Sequence, residues 1–220
     1  MKRRHCLLLL APLPAHAALL ESDAAQGVRA ALERGALAAV SQLGRVDGFF
    51  AHPELKIELP GALKDAAKLL KATGQGKKVD ALVLAMNRAA EAAVPQARDL
   101  LVQTVKKISV EDALRLVRAS EDDAVTRFFE TKTREPLTER FLPIVTKATE
   151  KQSLADKYNA VAGKAAGLGL LKGEDSNIQA YVTRKALDGL YRLIGEEEKK
   201  IRQDPVGTGS AILKKVFKLG

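Results

Sequence analysis

Apolar residues recur along this chain at steps of three and four, the spacing that lines one face of an α-helix, while the two-residue alternation of strands is nearly absent. The first stripe, Val28, Leu32, Ala36, Ala39 and Leu43, predicts a helix over Ser22–Leu43, stopped by Gly44. Further helices are predicted over Ala62–Ala72, Lys77–Ala93, Gln96–Lys107, Val110–Arg118, Glu121–Thr133, Leu137–Lys151, Leu154–Ala166 and Ile178–Gln203. Asp204-Pro205 ends the last of these and starts a short terminal helix reaching Phe217. Pro95 opens one helix where its missing N–H costs nothing. Ser109-Val-Glu-Asp112 and Ser120-Glu-Asp-Asp123 read as caps followed by acids in the first turn, where the helix dipole favours them. Gly163, Gly167, Gly169 and Gly173 predict a flexible stretch up to Asn177.

One segment breaks the helical period. Between Arg45 and Pro60, Leu55, Ile57 and Leu59 alternate with Lys56 and Glu58, which predicts an extended loop laid over the bundle. No tandem repeat is visible. The expected fold is all-α: one domain over residues 18–220, a bundle of seven to ten helices with one extended loop segment.

The first seventeen residues stand apart. Lys2, Arg3 and Arg4 are a positive start, Cys6 to Leu13 is apolar, and Ala15-His16-Ala17 is a small-x-small cleavage pattern, the order of a secretory signal peptide. The apolar run is far short of the roughly 20 residues that span a bilayer. Arg4 and His5 precede Cys6 where a lipid-anchor site needs small residues, so lipidation is disfavoured. Cleavage after Ala17 is expected, giving a mature protein that is periplasmic or secreted. No later segment approaches membrane-spanning length.

Removing the leader changes the chemistry available. The chain has 220 residues, 36 basic against 27 acidic; without Lys2, Arg3 and Arg4 the balance is 33 to 27, a net +6. The one cysteine leaves with the leader, and of three histidines only His52 stays. That leaves too few ligands for a zinc site and too few bases for a nucleophile triad. Gly74-Gln-Gly76-Lys77-Lys78 lacks the first glycine and the Ser or Thr of a phosphate loop, and Gly167 and Gly169 lack a third glycine and a preceding strand. Acid runs such as Glu121 to Asp123 and Glu196 to Glu198 read as solvated faces, and nine aromatics with no Trp make poor sugar platforms. No catalytic residue, metal site or cofactor is indicated.

The positive charge is spread over both halves of the mature chain, and exposed aromatics are not interleaved with it, so nucleic acid is a disfavoured partner. Lys64, Lys68 and Lys71 share one helical face, and Lys214, Lys215 and Lys218 another. Either face suits an anionic membrane surface, although a wet face on a core-packing helix explains both.

Two helices carry polar stripes beside apolar ones. Asp80, Leu84, Asn87 and Glu91 follow steps of four, three and four next to Val79, Val83, Met86 and Ala90, with Arg88 alongside. Tyr181, Lys185, Asp188 and Arg192 do the same next to Val182, Ala186, Leu190, Leu193 and Ile194. Polar groups at the edge of a core must find partners. The two helices are therefore expected to pack side by side with at least one polar contact between them. As a structural network, Arg88 or Arg192 would pair with Asp188, Glu91 or Glu197; as a site, the same groups would line a cleft for an anionic or amphipathic ligand.

These stretches also carry a resemblance. Val79-Asp80 with Met86-Asn-Arg-Ala-Ala-Glu91, and Tyr181-Val-Thr-Arg-Lys-Ala-Leu-Asp-Gly-Leu190 leading to Glu196 through Arg202 and Pro205, are the strongest parts. Asp47-Gly-Phe49, Phe128-Phe129, Phe141 to Val145 and Leu213 to Phe217 complete a set that resembles the bacterial exported family called domain of unknown function 4197. Tyr191 fits the aromatic often found after Asp-Gly-Leu in that family. The resemblance implies no activity and no catalytic residues. Taken together, the sequence leads to an expected non-catalytic binding or structural component of the cell envelope, whose partner is an envelope protein or an amphipathic ligand. A carrier holding a lipid between its helices is the first alternative, and an enzyme of unfamiliar type the second.

Overall fold

The computed structural model describes residues 14–72, 74, 76–119, 121, 123–150, 158 and 177–204. Among these the chain is all-helical and contains no strand. The elements are α1 (Pro14–Leu43), α2 (Gly61–Ala72), α3 (Gly76–Ala93), a 3-10 turn (Val94–Ala97), α4 (Arg98–Lys106), α5 (Val110–Arg118), α6 (Ala124–Glu150) and α7 (Ile178–Gln203). Only five of the helices are twelve residues or longer, since α4 and α5 have nine each. The expected count of seven to ten is not confirmed. Apart from Tyr158, which is helical and fully buried, the helix expected over 154–166, the glycine-rich stretch and the terminal helix lie outside the described residues.

α1 starts at Pro14 rather than Ser22, and its stripe is buried as expected: Ala36, Ala39 and Leu43 are at most 1% exposed or enclosed entirely. Against α1 pack α7, α5 and α4, while α2 packs on α3. Ser109 caps α5 by accepting the Asp112 N–H at 3.0 Å, and Asn177 caps α7 by accepting that of Ala180 at 3.0 Å.

α6 corrects the expectation of two helices separated at Pro136. It runs unbroken through Pro136 and Pro143. A proline inside a helix costs about 3 kcal/mol. Val125, Phe129, Leu137, Phe141 and Val145 are all buried along the same helix, on both sides of the prolines, and each contributes about 1.5–3 kcal/mol. Burial wins. These residues, with Thr133 and Thr149, step by four, so the stripe advances about 40° per step and winds round the helix. That winding lets α6 pack against α7, α3 and α4.

Residues 44–60 are the non-helical feature that the sequence singled out. The first part is mostly turns and bends, and 56–60 has no regular structure. Asp47 sits at a φ of 67°, and a Cβ on Gly48 would meet the Gln42 and Leu43 carbonyl oxygens at 2.5 and 2.6 Å, so only glycine fits there. Leu55, Ile57 and Leu59 are buried, and the Lys56 and Glu58 side chains look outward. The alternation was legible, and it carries no ladder partner.

Candidate functional site

The polar stripe of α3 is aimed at this segment. Asn87, fully buried, accepts the Ile57 N–H on Oδ1 at 2.8 Å and donates from Nδ2 to the Ile57 carbonyl at 2.9 Å. Its amide thus stands in for a neighbouring strand. One turn on, Glu91 Oε1 accepts both the Phe49 and Phe50 N–H groups at 3.1 Å. The other oxygen takes Arg88 at 2.6 Å, and Arg88 reaches on to Asp47 at 2.7 Å. Hydrogen bonds to Glu91 and then Asp47 hold the Arg88 pKa above its ordinary value. Arg88 and Lys56 also flank the Phe50 ring, 5.7 and 4.6 Å from its centre.

The stripe of α7 grips the same segment from another side. The Tyr181 hydroxyl donates to the Glu58 carbonyl at 2.7 Å, and Arg192 pairs with Glu54. Between them Gly189 leaves a notch for Phe49: a Cβ there would lie 2.6 Å from the ring. Phe49 is fully buried. His52 closes the turn, its Nδ1 accepting the N–H groups of Glu54 and Leu55 at 3.3 and 3.2 Å.

Asp188 turns the other way. It accepts from Arg134 of α6 at 2.9 Å, and Arg134 also binds Glu130 and lies 5.1 Å over the Tyr191 ring. Burial opposes the charge on Arg134, yet the bonds to Glu130 and Asp188 prevail and its pKa is raised. Asp80 stands apart from the segment, exposed and paired with Lys71 at 2.9 Å. Arg192 also approaches Glu196 at 3.5 Å. Of the pairings expected, Arg88 with Glu91 is present. The helices α3 and α7 do pack together. Their stripes, however, converge on the backbone of residues 49–58 that runs between them, because its unsatisfied N–H and C=O groups need those partners.

Alongside the segment runs an open groove of about 470 Å³, walled by residues 54–61 on one side and by Tyr181, Arg184, Asp188 and Arg192 of α7 on the other. The apolar cavity elsewhere, between α1, α5 and α7, holds about 30 Å³.

Glu198 was expected on a solvated acid run and is instead buried, 7% exposed. It accepts the Val125 N–H at 3.2 Å and both the N–H and hydroxyl of Thr126 at 2.9 and 2.8 Å, which caps the start of α6. Arg202, one turn on, donates to it through Nε and Nη2 at 3.0 and 2.9 Å and to the Leu116 carbonyl at 3.2 Å. Glu91 and Glu198 follow one plan: a buried carboxylate takes two consecutive backbone N–H groups and an arginine from its own helix. The signal available was Ile194, Glu198 and Ile201 sharing the apolar face of α7. Among the described residues no three His, Cys, Asp or Glu side chains gather to hold a metal, and no helix is long and apolar enough to cross a membrane.

The family model described as "Protein of unknown function (DUF4197)" matches residues 18–218, and the chain belongs to that family. No curated protein and no solved structure matches it.

Proposed function

We propose that this DUF4197 chain is an exported, non-catalytic binding component of the cell envelope, and that its binding face is the groove between residues 54–61 and α7. The observation that carries this reading is the effort spent on one wall of that groove. Asn87, Glu91, Tyr181 and Arg192, from two helices, hold a segment with no regular structure in one shape. Preorganisation of that kind is what a binding surface needs. The groove's volume, about 470 Å³, leaves room for a small ligand, as do clefts of about 560 and 820 Å³ along α6, so the volume alone does not select it. Export is supported by the ordered leader and by a family match that starts at residue 18, directly after the expected cleavage point.

The carrier reading ranks second, because an apolar cavity of about 30 Å³ is water-sized and would have to open to admit an acyl chain. An enzyme ranks third. Glu91 and Glu198, the buried carboxylates among the described residues, are already engaged by backbone and arginine donors, a poor setting for proton transfer.

Native mass spectrometry of the protein isolated from its own envelope tests the reading. A polypeptide beginning at Ala18 that retains a small molecule or partner, lost in Lys185→Glu, supports it. A polypeptide beginning at Met1, or a bare chain in both proteins, overturns it.

A further inference from the structure

The groove runs beside a backbone edge that the two helices leave open. Around Ile57 the chain has the alternation of a strand: Leu55, Ile57 and Leu59 are buried, Glu58 is exposed and Lys56 half-buried. Ile57 gives both of its backbone groups to Asn87 of α3. In a chain of that kind the neighbouring residues turn theirs to the opposite side. Here that is the side of α7 and the groove, where the Glu58 carbonyl takes the Tyr181 hydroxyl at 2.7 Å. The Lys56 N–H is taken too, by the His52 carbonyl at 3.2 Å. What is left over is the Lys56 carbonyl and the Glu58 N–H, which have no hydrogen-bond partner among the described residues. An acceptor and a donor two residues apart on one edge are what an added strand pairs with, whichever way it runs.

Resting on the binding-face reading above, we propose that this groove takes an extended peptide of a partner protein, added as a strand along residues 56–58 with an acidic side chain meeting Lys64. The match is first of the main chain: one C=O and one N–H of the peptide satisfy the Glu58 N–H and the Lys56 carbonyl. Strand addition draws its affinity from such bonds. The receiving edge is already held by Asn87 and Tyr181, so it loses little freedom when the peptide arrives. The charge comes from Lys64, which lines the groove just past the segment, its own N–H on the Pro60 carbonyl at 3.2 Å. Lys64 is exposed and has no ion pair among the described residues. An acid on the peptide gives it one.

Selection of a random dodecapeptide library on the full chain supplies the probe, and the most enriched peptide is then followed by calorimetry and by amide exchange. The Glu58 amide should exchange rapidly in the free protein and at least about tenfold more slowly with the peptide bound. N-methylating one amide of the peptide should weaken binding about tenfold, and the same change at the two adjacent amides should do much less. Glu58→Pro, which deletes the N–H, should weaken binding about tenfold, whereas Glu58→Gln, which keeps it, should not. Lys64→Glu should weaken it about threefold or more. Lys64 is exposed, so its variant and the exchange measurement test the site even if Glu58→Pro folds poorly. Failure to enrich any peptide, a Glu58 amide that the bound peptide leaves unprotected, or wild-type affinity in Lys64→Glu overturns the proposal. So does native mass spectrometry in which the retained species is a small molecule. If the proposal is overturned while Lys185→Glu still sheds a retained species, strand addition falls and the binding face stands. If the peptide tests fail and Lys185→Glu sheds nothing, both fall.

Discussion

Asn87 holds Ile57 by both of its backbone groups, the N–H at 2.8 Å and the carbonyl at 2.9 Å, from a helix 30 residues further along the chain. Both ends of this contact are buried. Truncating the side chain would strand two polar groups away from water, each costing about 1–3 kcal/mol. Asn87→Ala is therefore expected to lower stability by about 2–4 kcal/mol in urea denaturation. A loss below about 0.5 kcal/mol would mean that the segment finds other partners.

Gly189 and Phe49 make the steric counterpart. A Cβ at 189 would sit 2.6 Å from the ring, which is itself fully enclosed. Gly189→Ala should cost about 1–3 kcal/mol through overpacking. In a Phe49→Leu background the same change should cost less, since the obstructing ring edge is gone. Thermal melts of the four proteins give the comparison, and equal costs in both backgrounds would remove Phe49 from the explanation.

Glu198 joins α7 to the start of α6. Glu198→Ala leaves Arg202 and two α6 N–H groups without their carboxylate, and a loss of about 3–5 kcal/mol is expected from breaking a buried pair on one side. Glu198→Gln, which keeps an acceptor of the same shape, should lose less. Hydrogen exchange should show the damage first at the Val125 and Thr126 amides. Unchanged exchange there would contradict the capping role.

The expectations that held concern apolar periodicity. Leu55, Ile57 and Leu59 alternate because one side of the segment meets the core, and Asn87 and Glu91 border an apolar face because they sit at its edge. Their partners were not legible, since every Phe, Ile and Glu offers the same backbone N–H and C=O and leaves no residue-specific mark. A polar stripe therefore looks the same whether it meets another helix or a loop. Glu198 was hidden by its acidic neighbours Glu196 and Glu197, although its place beside Ile194 and Ile201 puts it on the buried face. Pro136 misled in the other direction: local propensity ends a helix that burial on both sides keeps whole.

Tyr191 should give a pH signature. Burial first of all pushes its hydroxyl up to about 12, against an ordinary 10, with the bond to Thr133 opposing. An acid whose pKa is raised by folding favours the neutral form in the folded state. Its stabilising contribution is therefore complete below about pH 10 and is lost as the pH rises through about 12. Tyrosinate absorbance at 295 nm should show a late-titrating component that is missing in Tyr191→Phe, and the stability difference between the two proteins should narrow over that same window. A Tyr191→Phe titration identical to wild type would contradict this.

The central claim is that side chains of α3 and α7 fix residues 45–60 in one shape, of which 54–60 form one wall of a groove. Amide hydrogen exchange by NMR tests it most directly, read at Phe49, Phe50 and Ile57 in the wild type and in Asn87→Ala, with Leu101 of α4 as the internal reference. In the wild type the three segment amides should be protected nearly as well as Leu101, despite lying outside any helix or sheet. In Asn87→Ala, Ile57 should exchange at least about a hundredfold faster while Leu101 changes only with global stability. Rapid exchange of Ile57 in the wild type, or protection indifferent to Asn87, would contradict the account.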